Sequence, residues 1–471
     1  MYVTLWFDTE DYILPQSDDA AKRLAETLTK LGVKATFKMV GEKARVLQQR
    51  GRTDVIAALQ QHDIGYHTNW HSRQPTVSVY LQNSGWEDGI AEFLRRERSG
   101  AEDVKRIFGV TPVCYGQPGG AWAPQAYPAL RTLGIHVYLD EAEHVGLDGQ
   151  PFYYGGMLNV FNMDSALTRM ELDGPENLSR AREQFQKACE ILRAKGGGTI
   201  SIYYHPCEFV HAQFWDGVNF SHGNNPPRSE WKLPPTKPAA QAEKGFSDFE
   251  QYIRFIKGQP GVRFATATDL KVIYADGAAE HRFTRAEVVT LAQGVRSGIT
   301  FQRIGDIAVS AADVLSILTR EAADFTKAGA LPASVKADSL DGPARTFVVS
   351  GRGVPPGTIP WSAFSEAIVD VAGFCQDRSR VPSEVWIGAY SIPPETYLAT
   401  LAGVVEEVSR TGQPLAEVRI INGTLTAEKY VAKDSPGLWN WPIFPEGFHA
   451  PAIMELGRLQ AWTLKPAILK R

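Results

Sequence analysis

The sequence predicts an α/β chain, with a closed or nearly closed (β/α) barrel over residues 1–276 and a mainly helical domain with an internal repeat over 281–471. Three observations predict it. Short β-like runs alternate with helical ones through the first part, as in a parallel sheet with helices packed outside. Seven or eight such units occupy roughly 275 residues, the ordinary size of a barrel. Ionisable side chains gather at the ends of the β-like runs, where such a barrel opens its active-site mouth.

Taken in order, "YVTLWF" (2–7) reads as the first strand and runs into the acidic "DTED" (8–11). The following "DDAAKRLAETLTKLG" places Ala21, Leu24, Leu28 and Leu31 at three- and four-residue spacing, one apolar helix face. "KATFKMVG", a helix near "ARVLQQRGRTDVIAALQQ", and "DIGYH" continue the alternation. Later strand candidates are "PVCYG", "IHVYLDE", "MLNVFNM", "TISIYYH" and "VRFATATDL". The helix "RAREQFQKACEILRAKGGG" ends in a glycine run suited to a C-cap. Ser247 and Glu250 stand in capping-box register and predict a helix over 247–257.

Beyond residue 280 the texture changes. Thr284 and Glu287 form a capping-box pattern, with Phe283 and Val288 placed as a hydrophobic staple. "IGDIAVSAADVLSILT" (304–319) aligns with "IGAYSIPPETYLATLA" (387–402), each an extended segment and turn followed by an amphipathic helix. The stretch 362–402 weakly resembles the pseudomurein-binding repeat, which implies cell-wall glycan binding; self-association through this domain is the other expectation.

The totals narrow the function classes. A net charge of −4 with no basic run gives no electrostatic footprint for nucleic acid or an anionic membrane surface. No stretch approaches the ~18 uninterrupted apolar residues of a membrane helix, so no membrane insertion is expected. Cys114, Cys189, Cys207 and Cys375 lack metal-like spacing, and a chain of this size needs no disulfide scaffold. "MYVTLWFDTED" enters a strand directly without a signal peptide, which predicts a cytoplasmic protein, or an extracellular or periplasmic one if the chain is a trimmed mature form.

Chemistry concentrates at strand ends. Asp8 and Glu10 follow "TLWF", His67 follows "DIGY", Asp140 follows "HVYL" and His205 follows "ISIYY". Imidazoles at i and i+4, as His67 and His71 are, can point one way from a helical turn and reach one divalent ion. Two histidines and a carboxylate with positions left open make a catalytic metal site. Strand alternation puts Asp8 and Glu10 on one face, with Asp11 the alternative ligand if the strand ends early.

The ordered set "FDTED", "HTNWH", "YGQPGG", "YLDE" and "IYYHPCEF" resembles the five motifs of the polysaccharide deacetylases, the NodB-homology carbohydrate esterases of family 4. The resemblance spans residues 1 to about 275. It implies a distorted (β/α) barrel and metal-dependent removal of an N- or O-acyl group, most commonly acetyl, from a carbohydrate. Relatives that act on small amide or formyl substrates supply an alternative, as does a catalytically weakened glycan-binding protein. By the same resemblance Asp8 matches the catalytic base, His205 the general acid, and His67 and His71 the metal pair, completed by Glu10. The ion expected is a divalent metal, zinc being commonest in such sites. The Tyr115 backbone N–H is the candidate oxyanion donor, and Asp140 and Trp70 are candidate substrate contacts. One departure stands out: Gly116 in "CYGQPGG" occupies the place of the family's usual third-motif arginine, so Asp8 is expected to lack that charge partner. The long segment 210–238 carries Phe214, Trp215 and Trp231 and reads as a lid or as a surface loop packing its aromatics.

Overall fold

The computed structural model describes residues 1–140, 143–160, 168–353 and 355–470. Its principal sheet is built from β1 (Tyr2–Thr9), β2 (Thr36–Met39), β3 (Asp63–Tyr66), β4 (Cys114–Tyr115), β5 (Val137–Leu139), β6 (Phe152–Tyr154), β7 (Met157–Val160) and β8 (Thr199–Tyr204). The order β6-β7-β5-β4-β3-β2-β1-β8 curls into an incomplete barrel, and β9 (Arg263–Phe264) pairs with the start of β1. All pairings from β5 through β8 along this path are parallel, as the β/α alternation requires. Of the run "MLNVFNM", residues 161–163 lie outside the described residues, as does Glu141 of the fourth motif.

The two faces of β1 divide the labour. Leu5 and Phe7 point to the helical layer, where Phe7 stacks on Phe37 of β2 at 4.6 Å. Trp6, Asp8 and Glu10 point the other way, into a cavity at the C-terminal rim. The helix expected over 247–257 starts two turns earlier, at Ala239–Lys257. Pro238 precedes a run of strong helix formers, so Ser247 lies inside the helix and caps nothing.

The duplication in the tail is larger than the aligned segments. One copy runs β10 (Arg282–Thr284), helix Arg285–Val295, the hairpin β11 (Gln302–Ile304) and β12 (Ile307–Val309), helix Ala311–Ala328 and β13 (Ser334–Lys336). The second runs β14 (Thr358–Pro360), helix Trp361–Arg378, the hairpin β15 (Val385–Ile387) and β16 (Tyr390–Ile392), helix Pro394–Thr411 and β17 (Glu417–Arg419). In each copy the outer strands pair antiparallel, and Gly305 and Gly388 make the hairpin turns at φ 58°. The first helix of each copy packs on the second helix of the other, giving a pseudo-twofold four-helix core. Thr284 and Glu287 form the reciprocal cap at its first helix.

The tail also reaches back. β18 (Lys465–Pro466) pairs antiparallel with β6 and becomes the outermost strand of the barrel sheet. Lys465 is buried, with its ammonium 2.8 Å from both Asp276, after the barrel's last helix, and Asp313 in the first repeat.

Candidate active site

The rim of β1, β3 and β8 brings five side chains together. Glu10 Oε2 lies 2.7 Å from His71 Nε2 and 3.2 Å from His67 Nε2. Their ligand atoms all fall within 4.8 Å of one another. Behind each imidazole stands an acceptor that fixes its tautomer. His67 Nδ1 donates to the Gly116 carbonyl at 2.8 Å. His71 Nδ1 donates to Ser72 Oγ at 2.5 Å, and that hydroxyl donates onward to Asp216 at 2.9 Å. Both Nε2 atoms therefore turn inward on the carboxylate. Burial holds His67 below its ordinary value, so its ring stays neutral with a lone pair to offer. Burial alone would raise Glu10, but the imidazoles packed around it, His71 and His205 foremost, hold it well below the usual carboxylate range. Trp215 Nε1 donates to the other Glu10 oxygen at 2.7 Å. Two imidazole nitrogens and one carboxylate oxygen, braced from behind and converging on a point, fit a divalent metal.

The pair does not sit on a helical turn. His67 follows directly on β3, and the loop beyond it passes through positive φ at Thr68 (63°) and at His71 itself (55°). That turn aims the two imidazoles inward and sends Trp70 outward. Trp70 lies between the guanidinium groups of Arg45 and Arg73, 5.0 and 4.6 Å from its ring centre, in a neighbouring cleft rather than in the cavity. Asp11 is likewise turned away. Its carboxylate accepts the Ile13 and Leu14 N–H groups and pairs with His211 at 2.9 Å, which makes it a brace for the chain leaving β1. The Tyr115 ring is fully buried against Tyr66, Phe93 and Tyr138, and Gln117 lines the cavity. Asp140 lines the cavity.

Asp8 has a cation after all. Strand register sets Lys38 of β2 directly beside it, and Lys38 Nζ lies 2.8 Å from Asp8 Oδ1, 2.7 Å from the Leu139 carbonyl and 3.5 Å from Asp140. The lysine is wholly buried and lies over the Trp6 ring at 3.9 Å. Two glycines clear its path. A Cβ at Gly65 would meet the Lys38 Cγ at 2.9 Å, and one at Gly116 would sit 1.9 Å from Nζ. The residue that removes the third-motif arginine thus admits an ammonium from another strand to the same carboxylate. Nothing local marks Lys38 in the sequence, because a lysine within a short strand reads as a solvent-facing position.

Asp8 Oδ2 faces His205 Nε2 at 3.7 Å. Burial opposes protonation of His205, but Glu10, Glu208 and Asp8 outweigh it and push the ring up to about 9. Glu208 is itself held by Arg169 and accepts the His205 backbone N–H at 2.7 Å. The cavity, about 210 Å³, is walled further by Tyr203, Phe214 and Trp441. Phe214 meets His205 edge-on at 5.0 Å.

A second buried carboxylate supports the loop from below. Glu97 accepts the Asn69 N–H and the Tyr66 hydroxyl, both at 2.7 Å, and burial pushes it up to about 7 from an ordinary 4.5. A raised acid stabilises the fold fully below pH 4.5 and loses that contribution as pH rises toward 7. Glu97→Gln is therefore expected to flatten stability between those two values. Denaturant titrations at pH 4.5 and 7.5 should show the wild-type difference exceed that of the variant by about 3 kcal/mol.

Residues 1–138 match the family model described as polysaccharide deacetylase. No curated protein matches the chain. Among solved structures, a Mycobacterium smegmatis protein described as a polysaccharide deacetylase aligns at 15% identity over 57% of this chain and 88% of its own, with a TM-score of 0.36. The Puue allantoinase aligns at 13% identity over 57% and 89%, with a TM-score of 0.37. A carbohydrate esterase family 4 pseudoenzyme from Bacillus anthracis aligns at 11% over 57% and 64%, with a TM-score of 0.28. The family-level similarity, to the polysaccharide deacetylases, is carried by the N-terminal residues 1–138.

Proposed function

We propose that the protein is a metal-dependent hydrolase that removes an N- or O-acyl group, acetyl foremost, from a carbohydrate. The observation that carries this reading is the convergence of Glu10, His67 and His71 beside a carboxylate–imidazole pair, Asp8 and His205, in one cavity. Glu10, His67 and His71 would hold the ion, with zinc the first candidate. A divalent metal there supplies Lewis-acid polarisation of an acyl oxygen and a water of lowered pKa. Asp8, paired with Lys38 through Oδ1 and turned to His205 through Oδ2, takes the proton of the attacking water. His205, held protonated by its acidic neighbours, delivers a proton to the departing amine or alkoxide. Asp140 and Gln117 line the substrate's side of the cavity. The duplicated helical tail is a candidate for glycan binding or for contact between copies of the chain.

Two outcomes are expected. Glu10→Gln and His67→Ala lose most of the bound metal on dialysis and elemental analysis, whereas Asp11→Asn retains it; equal metal in all three removes the ligand assignment. Glu208→Gln withdraws a negative charge from His205, lowers its affinity for the proton, and moves the alkaline limb of the kcat/KM profile to lower pH. Hydrolysis of an acetylated sugar with and without chelator tests the reading as a whole. Metal-loaded protein that turns over neither amide nor ester acyl groups makes it a binding protein instead.

A further inference from the structure

The cavity's outer wall comes from the tail, more than four hundred residues along the chain from the strand that carries Asp8 and Glu10. Trp441 lines it and meets the His71 ring edge-on at 5.7 Å. The segment around it is fastened to the rim at several points. Gln74 donates to the Ile443 carbonyl at 2.8 Å, and the backbone N–H groups of His222 and Gly223, in the long 210–238 segment, bond to the Pro442 and Ile443 carbonyls. Ile443 is fully buried in a cluster with Tyr12, Trp215 and Phe220, directly behind Glu10. The third-motif glycines are shaped to receive this wall. Gly119 adopts a φ of 46°, and a Cβ there would lie 2.5 Å from three atoms of the Trp441 indole. The tail, the 210–238 segment and the motif therefore interlock around the site.

The consequence is a small, half-open pocket beside the cleft that holds Trp70. Its 210 Å³ falls below the roughly 300–1,000 Å³ of ordinary ligand pockets. Tyr203, Phe214 and Trp441 wall the ionisable centre with aromatic rings, while Trp6 is buried against Lys38 and Tyr203. From this we infer that Trp441 is a specificity-determining residue that limits the substrate to a single ring-sized acylated molecule, excluding the internal units of a long glycan. The inference rests on the hydrolase reading for its acyl chemistry, but its steric content is separate. A free or terminal acylated sugar and a small ring-sized amide present the same acyl group and the same ring dimension.

Binding separates them without requiring turnover. Zinc-loaded protein with His205→Ala is titrated calorimetrically with N-acetylglucosamine, with its tetramer, and with acetanilide as a sugar-free amide. At least one ring-sized compound binds saturably and tenfold or more tighter than the tetramer, and whichever does identifies the source. Trp441→Ala brings tetramer and monomer within about threefold of each other, while Trp441→Phe keeps the discrimination. A tetramer that binds as tightly as the monomer in the parent protein, an unchanged ratio in Trp441→Ala, or no binding by any ring-sized compound overturns the inference. Turnover in the otherwise wild-type protein judges the hydrolase reading independently. An enzyme that deacetylates the tetramer faster than the monomer sustains that reading while ending this one.

Discussion

His205→Ala lowers kcat on an N-acetylated sugar by about 10²–10⁴-fold, the usual contribution of a positioned general acid, while bound metal stays at the wild-type level. On 4-nitrophenyl acetate the same variant loses less than about tenfold, because the nitrophenolate departs without a proton and the step served by His205 is bypassed. The geometry underlies the contrast. His205 Nε2 lies beside Asp8 and is not one of the three candidate ligands, so its removal takes away a proton donor and leaves Glu10, His67 and His71 in place. Its raised affinity for protons, up to about 9, keeps the acid form populated at neutral pH. Parallel kinetics on the two substrates, with elemental analysis of the same preparations, check the result. Equal losses on amide and ester assign His205 a structural part only.

Lys38→Met is expected to cost about 3–5 kcal/mol in denaturant unfolding, the range for removing one partner of a buried ion pair. It also lowers kcat more than tenfold, because Asp8 is left without the cation that orients it. The lysine is fully buried and Asp8 nearly so, with no water to screen the orphaned charge. A double variant, Lys38→Met with Asp8→Asn, recovers much of the lost stability and none of the activity, and the coupling between the two changes measures the pair. Lys38→Arg is no rescue. The channel between Gly65 and Gly116 ends on the Leu139 carbonyl, which lies only 2.6 Å from a Cβ built on Gly116, and a guanidinium fork exceeds it. Wild-type stability and turnover in Lys38→Met make the ammonium incidental.

The barrel and its reacting groups were legible in the sequence for a simple reason. Period-two alternation in "YVTLWFDTED" needs no tertiary information to put Asp8 and Glu10 on one face, and parallel strands all end at the same rim. The repeat was legible because each copy carries its own hairpin glycine and amphipathic helix. What escaped depends on register and on distant chain. Lys38 reaches Asp8 only because β1 and β2 pair as they do, and Gly116 looks like a lost arginine until the neighbouring strand is known. Trp70 faces a neighbouring cleft because a left-handed turn sets its direction, which spacing does not encode. Trp441 lay too far along the chain for any local pattern to connect it with the rim.

The placement of β18 has a consequence for how the protein is made. The barrel's own strands are complete by Phe264, yet the free edge of β6 has no neighbour until Lys465 and Pro466 exist. At about 5–20 residues per second, a ribosome needs roughly 10–40 s to synthesise the intervening 200 residues. Throughout that interval the nascent sheet displays unpaired backbone to any other growing chain. Translation speed across the repeat region, and chaperones that cover an open edge, should therefore bear on the yield of native protein.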